Sequence, residues 1–242
     1  SKVSIKIISS PGVGKKSALT EGIQVAESEF ILVTDADCVV NSEWISGMVS
    51  GFTSEKIVFV AGMVKYSGKG SWLRDILQTE MVFLQVVSAG MYKLGKPIMC
   101  NGASMAFRKS FFVKNNGFFG DKYVSGDDIF LLQKANASGV NAIAWKCDST
   151  NLVSTRPASS ISEAILQRAR WLSKVRGYTG LSGFVTGAMF LAVQLLLPGA
   201  IISVFVYGSV SNPIVLSFAL KMGVELLLLS LAVPFFGENR II

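Results

Sequence analysis

An α/β domain with a mainly parallel sheet, followed by a helical membrane hairpin, is the fold class this sequence predicts. Two observations predict it. The opening reads strand, helix, strand: Val3, Ile5 and Ile7 alternate with polar neighbours, Lys15 to Ala26 has helical spacing, and Phe30 to Val33 is a continuous apolar run. That order belongs to a parallel sheet with crossover helices. The second observation is the distribution of charge. Gly177 to Leu220 carries no charge over 44 residues, and from Leu181 to Ile242 only Lys221, Glu225, Glu238 and Arg240 are charged.

The later elements follow from local pattern. Ser42 to Gly51 suits a helix capped by Asn41 or Ser42, and Ile57 to Ala61 a buried strand. Trp72 to Leu94 is a long amphipathic stretch; Ser104 to Phe107 and Ala142 to Trp145 are short strands; Asp127 to Ser138 and Ser160 to Lys174 read as helices. No internal repeat or low-complexity linker interrupts them. One α/β domain over residues 1–176 and a hairpin over 177–242 are therefore expected.

Composition narrows the function classes. The 23 basic and 16 acidic residues give a formal charge of +7, with 50% hydrophobic residues and no histidine. A disordered charged tail, a histidine-based triad and a histidine-ligated zinc site are excluded. No dense Lys/Arg run with interleaved aromatics is present, so nucleic acid is not the expected partner. Anionic lipid and phosphate-bearing substrates account for the basic excess.

The uncharged stretch is about twice the roughly 20 residues that one bilayer crossing needs. We read two spans, Leu181 to Tyr207 and Ile214 to Phe236, joined by a turn over Ser209 to Pro213. The alternative is a buried helical hairpin of a soluble protein, which normally keeps one polar face. Lys221 and Glu225 stand at i and i+4 and can pair on one face of the second span, as a packing contact or a functional one. Lys174 and Arg176 favour a cytoplasmic side for the residues before the first span, hence a multi-pass membrane protein with a cytosolic globular part. Cys38, Cys100 and Cys147 form no CxxC and fit reduced thiols in that compartment. The chain opens on a charged alternating segment, with no signal-peptide pattern.

Three constellations carry chemistry. Asp35-Ala36-Asp37 leaves the end of an apolar strand with both carboxylates on one side. The carboxyl ends of parallel strands are where α/β sheets bind ligands, and two oxygen ligands there suit Mg²⁺ or Mn²⁺. An isolated DxD is common and more often only a turn or helix cap. Asp127-Asp128 opens an apolar helix; adjacent carboxylates raise each other's proton affinity, which can make a general base without histidine, while capping of free amides is the competing reading. In Gln167-Arg168-Ala169-Arg170-Trp171, positions i, i+3 and i+4 place Gln167, Arg170 and Trp171 on one helical stripe: an amide, a guanidinium fork and an aromatic plate. A basic amphipathic helix at the membrane interface would share that composition. Gly12-Val13-Gly14-Lys15-Lys16-Ser17 fails the spacing of a phosphate-binding P-loop, although a lysine opening a helix can still hold an anionic donor.

In this order and spacing the motifs resemble the membrane-bound family 2 glycosyltransferases, which include cellulose, chitin, hyaluronan and poly-N-acetylglucosamine synthases. The stretch from Gly14-Lys15 to Gly22 looks like the family's helix start before its DxD strand. Asp35-Ala36-Asp37 resembles the DxD, Asp127-Asp128 the acidic base motif, and Gln167 to Trp171 matches QxxRW; Met99 to Ser104, with Gly102, resembles the glycine-bearing loop at the acceptor end. The resemblance implies a GT-A-like nucleotide-sugar-binding fold and inverting, metal-dependent transfer from a nucleotide sugar, a UDP-sugar, to a saccharide acceptor at the membrane, with processive synthesis in reach. It implies that Lys15 helps hold the donor, that Asp35 contacts the nucleotide, and that Asp37, with Asp35, holds Mg²⁺ or Mn²⁺. Asp128 would be the base beside Asp127, Gln167 and Arg170 would steady the diphosphate, and Trp171 would floor the acceptor site. Family members usually begin with a further strand and nucleotide-binding loops, so the chain is expected to lack its first strands. Gly126-Asp127-Asp128 replaces the family's Thr-Glu-Asp, closer to hyaluronan-type synthases. The competing expectations are single transfer to a lipid, as in ceramide glucosyltransferase-like enzymes, and a non-catalytic membrane scaffold.

Overall fold

The computed structural model describes residues 4–68, 71–119, 126–173, 196–207 and 212–236. It divides into two compact units, one of residues 1–67 and 88–156, the other of 68–87 and 157–242.

In the first unit, α1 (Lys15–Val25) leads into β1 (Phe30–Val33), and α2 (Trp44–Val49) into β2 (Phe59–Ala61) and β3 (Val64–Tyr66). After α3 (Trp72–Lys93), which begins in the second unit, come β4 (Met105–Arg108), α4 (Lys109–Lys114), α5 (Asp127–Ala137), β5 (Ile143–Trp145) and β6 (Val153–Thr155). The main sheet has the order β1-β4-β2-β5. β4 runs antiparallel to both neighbours, with Val33 opposite Met105 and Phe59 opposite Phe107, whereas β2 and β5 are parallel. β3 and β6 form a separate parallel pair.

The sheet is thus mixed, correcting the expectation of a mainly parallel one. β1, β2 and β5 share a direction, as crossover units require, but β4 is inserted between β1 and β2 in reverse. Its sequence conceals this because both faces of the sheet are covered, so a reversed central strand is as continuously apolar as a parallel one. Phe59, Ala61, Met105 and Phe107 turn to one core with Ile23, Leu131 and Leu132; Val60 and Ala106 turn to the other with Trp44 and Met48. Full burial of each large side chain contributes roughly 1.5–3 kcal/mol.

Other differences are local. The expected opening strand is absent: residues 4–10 have no strand structure, and Ile5 and Ile7 are exposed. Alternation marks a strand only where a neighbour pairs with it, and among the described residues none does. The helix expected over Ser42 to Gly51 contracts to α2, whose entry is braced by the Glu43 N–H donating to Asn41 Oδ1 at 3.0 Å. β3, β6 and α4 were not expected from pattern; each is at most six residues long, too short to show a period.

The second unit contains α6 (Ile161–Leu172) and two apolar helices, Leu196–Tyr207 and Asn212–Phe236. Ser160 caps α6, its Oγ accepting from the Glu163 N–H at 3.2 Å, while Glu163 accepts from the Ser159 hydroxyl and N–H. Those hydrogen bonds hold the Glu163 carboxyl below its ordinary pKa. Within the last helix Pro213–Ala232 is long and apolar enough to cross a membrane, and 6% of that segment is buried. Asn212 and Pro213, expected in the turn, belong to the first turn of this helix, where proline loses no hydrogen bond. Lys221 and Glu225 pair at 2.8 Å, as their spacing predicts. Most of the first expected span, Lys174, Arg176 and the connecting residues 208–211 lie outside the described residues.

Candidate active site

Both helices that feed the site start at a glycine with positive φ: Gly14 (92°) before α1 and Gly126 (94°) before α5. A side chain at either position would be strained, and glycine lets the chain swing directly into the helix. Lys15 and Asp127 are therefore the first helical residues. Beyond β1 the chain leaves the sheet and presents Asp35 and Asp37.

These pieces meet. Lys15 Nζ lies 2.6 Å from Asp35 Oδ1 and 3.1 Å from Asp127 Oδ2. The second contact is off hydrogen-bond alignment, so Lys15 holds Asp127 chiefly by charge. Burial alone would lower the Lys15 pKa; the charge of Asp127, with the hydrogen bond and charge of Asp35, outweighs it and leaves the ammonium above its ordinary value. Asp127 is 5% exposed and sits where the α5 amides and dipole favour an anion.

Asp128 faces the loop before β4. Its Oδ2 accepts from the Gly102 N–H at 3.2 Å and its Oδ1 from the Ile129 N–H at 2.8 Å. The Cys100 thiol donates to the Asp128 carbonyl at 3.6 Å. The loop is closed by Asn101, whose Oδ1 and carbonyl accept from the Ala103 and Ser104 N–H groups, each at 3.0 Å. A Cβ on Gly102 would stand 3.3 Å from both Lys15 Nζ and Asp128 Cβ, so the loop approaches the acidic pair as closely as glycine allows.

Asp35, Asp37 and Cys38 offer donor atoms within 4.8 Å of one another. Two carboxylates, leaving positions for water and phosphate oxygens, fit a hard divalent cation such as Mg²⁺ or Mn²⁺. Burial pushes the Cys38 thiol up, against hydrogen bonds from its neighbours. Cys38 is a neighbour that the motif spacing did not single out.

The first unit thus gathers Lys15, Asp35, Gly102, Asp127 and Asp128, with Asp37 beside Asp35. Gln167, Arg170 and Trp171 all lie on α6 in the second unit, Arg170 exposed, Gln167 and Trp171 half-buried. α6 also reveals a residue that sequence reasoning passed over. Arg168, between the motif positions, binds Glu80 of α3 and Gln167.

Residues 1–113 match Glycosyl transferase family 2. A glycosyltransferase domain is thereby assigned to this segment, and its mixed α/β sheet agrees with a GT-A-like fold. Comparison with curated proteins finds no match. Among solved structures the chain is similar to glucosyl-3-phosphoglycerate synthase from Mycobacterium tuberculosis in complex with phosphoglyceric acid, at 18% identity and TM-score 0.39, covering 62% of this chain and 50% of that one. It is also similar to the same enzyme in complex with Mn²⁺ and uridine-diphosphate-glucose, at 15% identity and TM-score 0.40, covering 66% and 54%. The chain spans about half the length of these structures.

Proposed function

We propose that this chain catalyses inverting, metal-dependent transfer of a sugar from a nucleotide-sugar donor, a UDP-sugar, to a saccharide or lipid acceptor at a membrane. The observation that carries the reading is the cluster around Lys15. It links the DxD residue Asp35 to Asp127, and the adjacent Asp128 is held by the backbone amide of Gly102. Capping alone would not need a lysine from α1 and an aspartate from the end of β1 beside the start of α5.

The chemistry is one displacement. Asp128 takes the proton of the acceptor hydroxyl as that oxygen's electron pair attacks the anomeric carbon. The bond from that carbon to the diphosphate oxygen breaks, the nucleoside diphosphate leaves with the bonding pair, and the anomeric configuration inverts. Hydrogen bonds from Gly102 and Ile129 keep the Asp128 carboxylate in one orientation, and orientation is worth several kcal/mol of such a barrier. Asp35 and Asp37 would hold Mg²⁺ or Mn²⁺, which when bound supplies positive charge against the departing diphosphate. Lys15 orients Asp35 and Asp127 and keeps the cluster from carrying uncompensated negative charge. Gln167 and Arg170 are assigned the diphosphate and Trp171 the acceptor, as an amide, an exposed fork and an aromatic plate suit those groups.

The exposed apolar face of Pro213–Ala232 favours an acceptor that stays at the bilayer. The uncharged stretch from Gly177 to Leu220, preceded by Lys174 and Arg176, is the basis for reading a multi-pass chain with its catalytic residues on the cytoplasmic side, and processive synthesis is the reading we favour over single transfer. Membranes containing the chain, incubated with a panel of labelled nucleotide sugars, test it: a ladder of products supports polymerisation, one glycolipid supports single transfer, and no product from any donor rejects the proposal. Turnover that persists in excess chelator would remove the metal from it.

A further inference from the structure

We propose that Arg168 is a positioning residue: anchored on Glu80, it holds Gln167 and Trp171 in place as a single recognition face. This inference rests on the assignment of that face to substrate. Arg168 is not one of the residues that define the QxxRW pattern, yet its guanidinium bonds Glu80, Gln167 and the Ala164 carbonyl. Nε donates to Glu80 Oε2 at 3.0 Å and Oε1 at 3.3 Å, and NH2 also binds Oε2, so the carboxylate is gripped along one edge of the guanidinium. NH1 donates to Gln167 Oε1 at 2.9 Å and to the Ala164 carbonyl at 3.3 Å. The guanidinium carbon stands 5.2 Å from the centre of the Trp171 ring, within reach of a cation–π contact.

Each contact constrains a neighbour. The bond from Arg168 NH1 to the Gln167 side-chain oxygen fixes which edge of that amide turns toward the guanidinium, and so sets the direction of the amide plane. With a cation against its ring, the Trp171 indole loses rotamer freedom and keeps its plane set. Glu80 is the fixed point: it belongs to the part of α3 that lies in the second unit, 88 residues away along the chain, and ties α3 to α6. The Arg168 side chain is 21% exposed and that of Glu80 35%, so the pair is shielded more than a surface ion pair. Arg170 is the exposed arginine of the motif. The two arginines therefore divide the work: one fixes the face, the other is open to ligand.

Lysine keeps the charge but has neither the edge for Glu80 nor the plane for Trp171. The full chain in membranes is compared as wild type, Arg168→Lys and Glu80→Gln, each also in a Gln167→Ala/Trp171→Phe background. Trp171 emission is read as the difference from Trp171→Phe. We expect either substitution to lower kcat/KM about tenfold, to shift Trp171 emission, and to lose most of its kinetic effect in the doubly substituted background, as residues acting through one another must. An effect of equal size in both backgrounds, wild-type kcat/KM, or unmoved Trp171 emission would overturn the inference. Glu80→Gln leaves α6 untouched, so the test survives if Arg168→Lys folds poorly. If Gln167→Ala/Trp171→Phe transfers like wild type, the substrate assignment of this face fails, and the emission readout alone decides whether Arg168 fixes the tryptophan.

Discussion

The two charged constellations of this protein are built with opposite polarity. Around Lys15 a single cation sits among the carboxylates of Asp35 and Asp127, with Asp37 and Asp128 close by in the chain. On α6 a single carboxylate from Glu80 anchors Arg168 and leaves Arg170 exposed. Each internal pairing consumes part of the charge and leaves a surplus of one sign. The acidic surplus suits a divalent cation and a proton acceptor; the basic surplus suits an anion.

The largest effect should come from the acidic constellation. Asp128→Asn removes the carboxylate to which we assign the proton and is expected to lower transfer by roughly 10²–10⁴-fold, while the unfolding temperature changes little, because the amide oxygen can still accept from one of the two backbone N–H groups. Radiolabelled transfer alongside thermal unfolding checks this, and near-normal turnover would leave the acidic constellation without its catalytic meaning.

Gly102→Ala comes next. The added methyl meets Asp128 Cβ and Lys15 Nζ at 3.3 Å, so the loop or the carboxylate must give by a few tenths of an ångström. Turnover should fall roughly tenfold through misorientation of Asp128, with donor KM nearly unchanged, as steady-state kinetics would show.

Lys15→Met asks whether the single cation holds the cluster together. It leaves Asp127 buried without its counter-charge and should cost about 1–2 kcal/mol, discounted for the partial exposure of the lysine. The sign with pH follows from a raised folded-state pKa. The stabilisation is fully present below the ordinary lysine value of 10.5 and disappears as pH rises through the higher folded value. Melting curves of wild type and variant should differ by a constant amount near neutrality and converge in strong alkali; a difference that grows with pH would contradict the pairing.

The smallest effect tests the same logic in the apolar helix. Removing Lys221 or Glu225 alone leaves one charge unpaired among apolar residues, whereas replacing both with leucine should be milder than either single change. Unfolding in detergent micelles, measured on the two single variants and the double, gives the comparison.

Patterns confined to one element were legible without coordinates. The helical spacing of α3, α5 and α6, the apolar runs of β1 and β2, and the i, i+4 pairing of Lys221 with Glu225 depend only on neighbours within about four residues. The reversal of β4 was not legible, since burial on both faces erases the difference between parallel and antiparallel neighbours. The missing strand at residues 4–10 was misread because alternation says that a segment could pair, not that a partner exists.

The candidate chemistry divides along the same line. Residue types and their order nominated Asp35, Asp37, Asp127, Asp128, Gln167, Arg170 and Trp171, because each motif is a short local pattern whose side chains suit one task. That Lys15 bridges Asp35 and Asp127, that Gly102 binds Asp128, and that Glu80 grips Arg168 across 88 residues are properties of folding alone. Such contacts join positions far apart in the chain, and no local periodicity or propensity encodes a distance between two side chains until packing brings their helices and strands together.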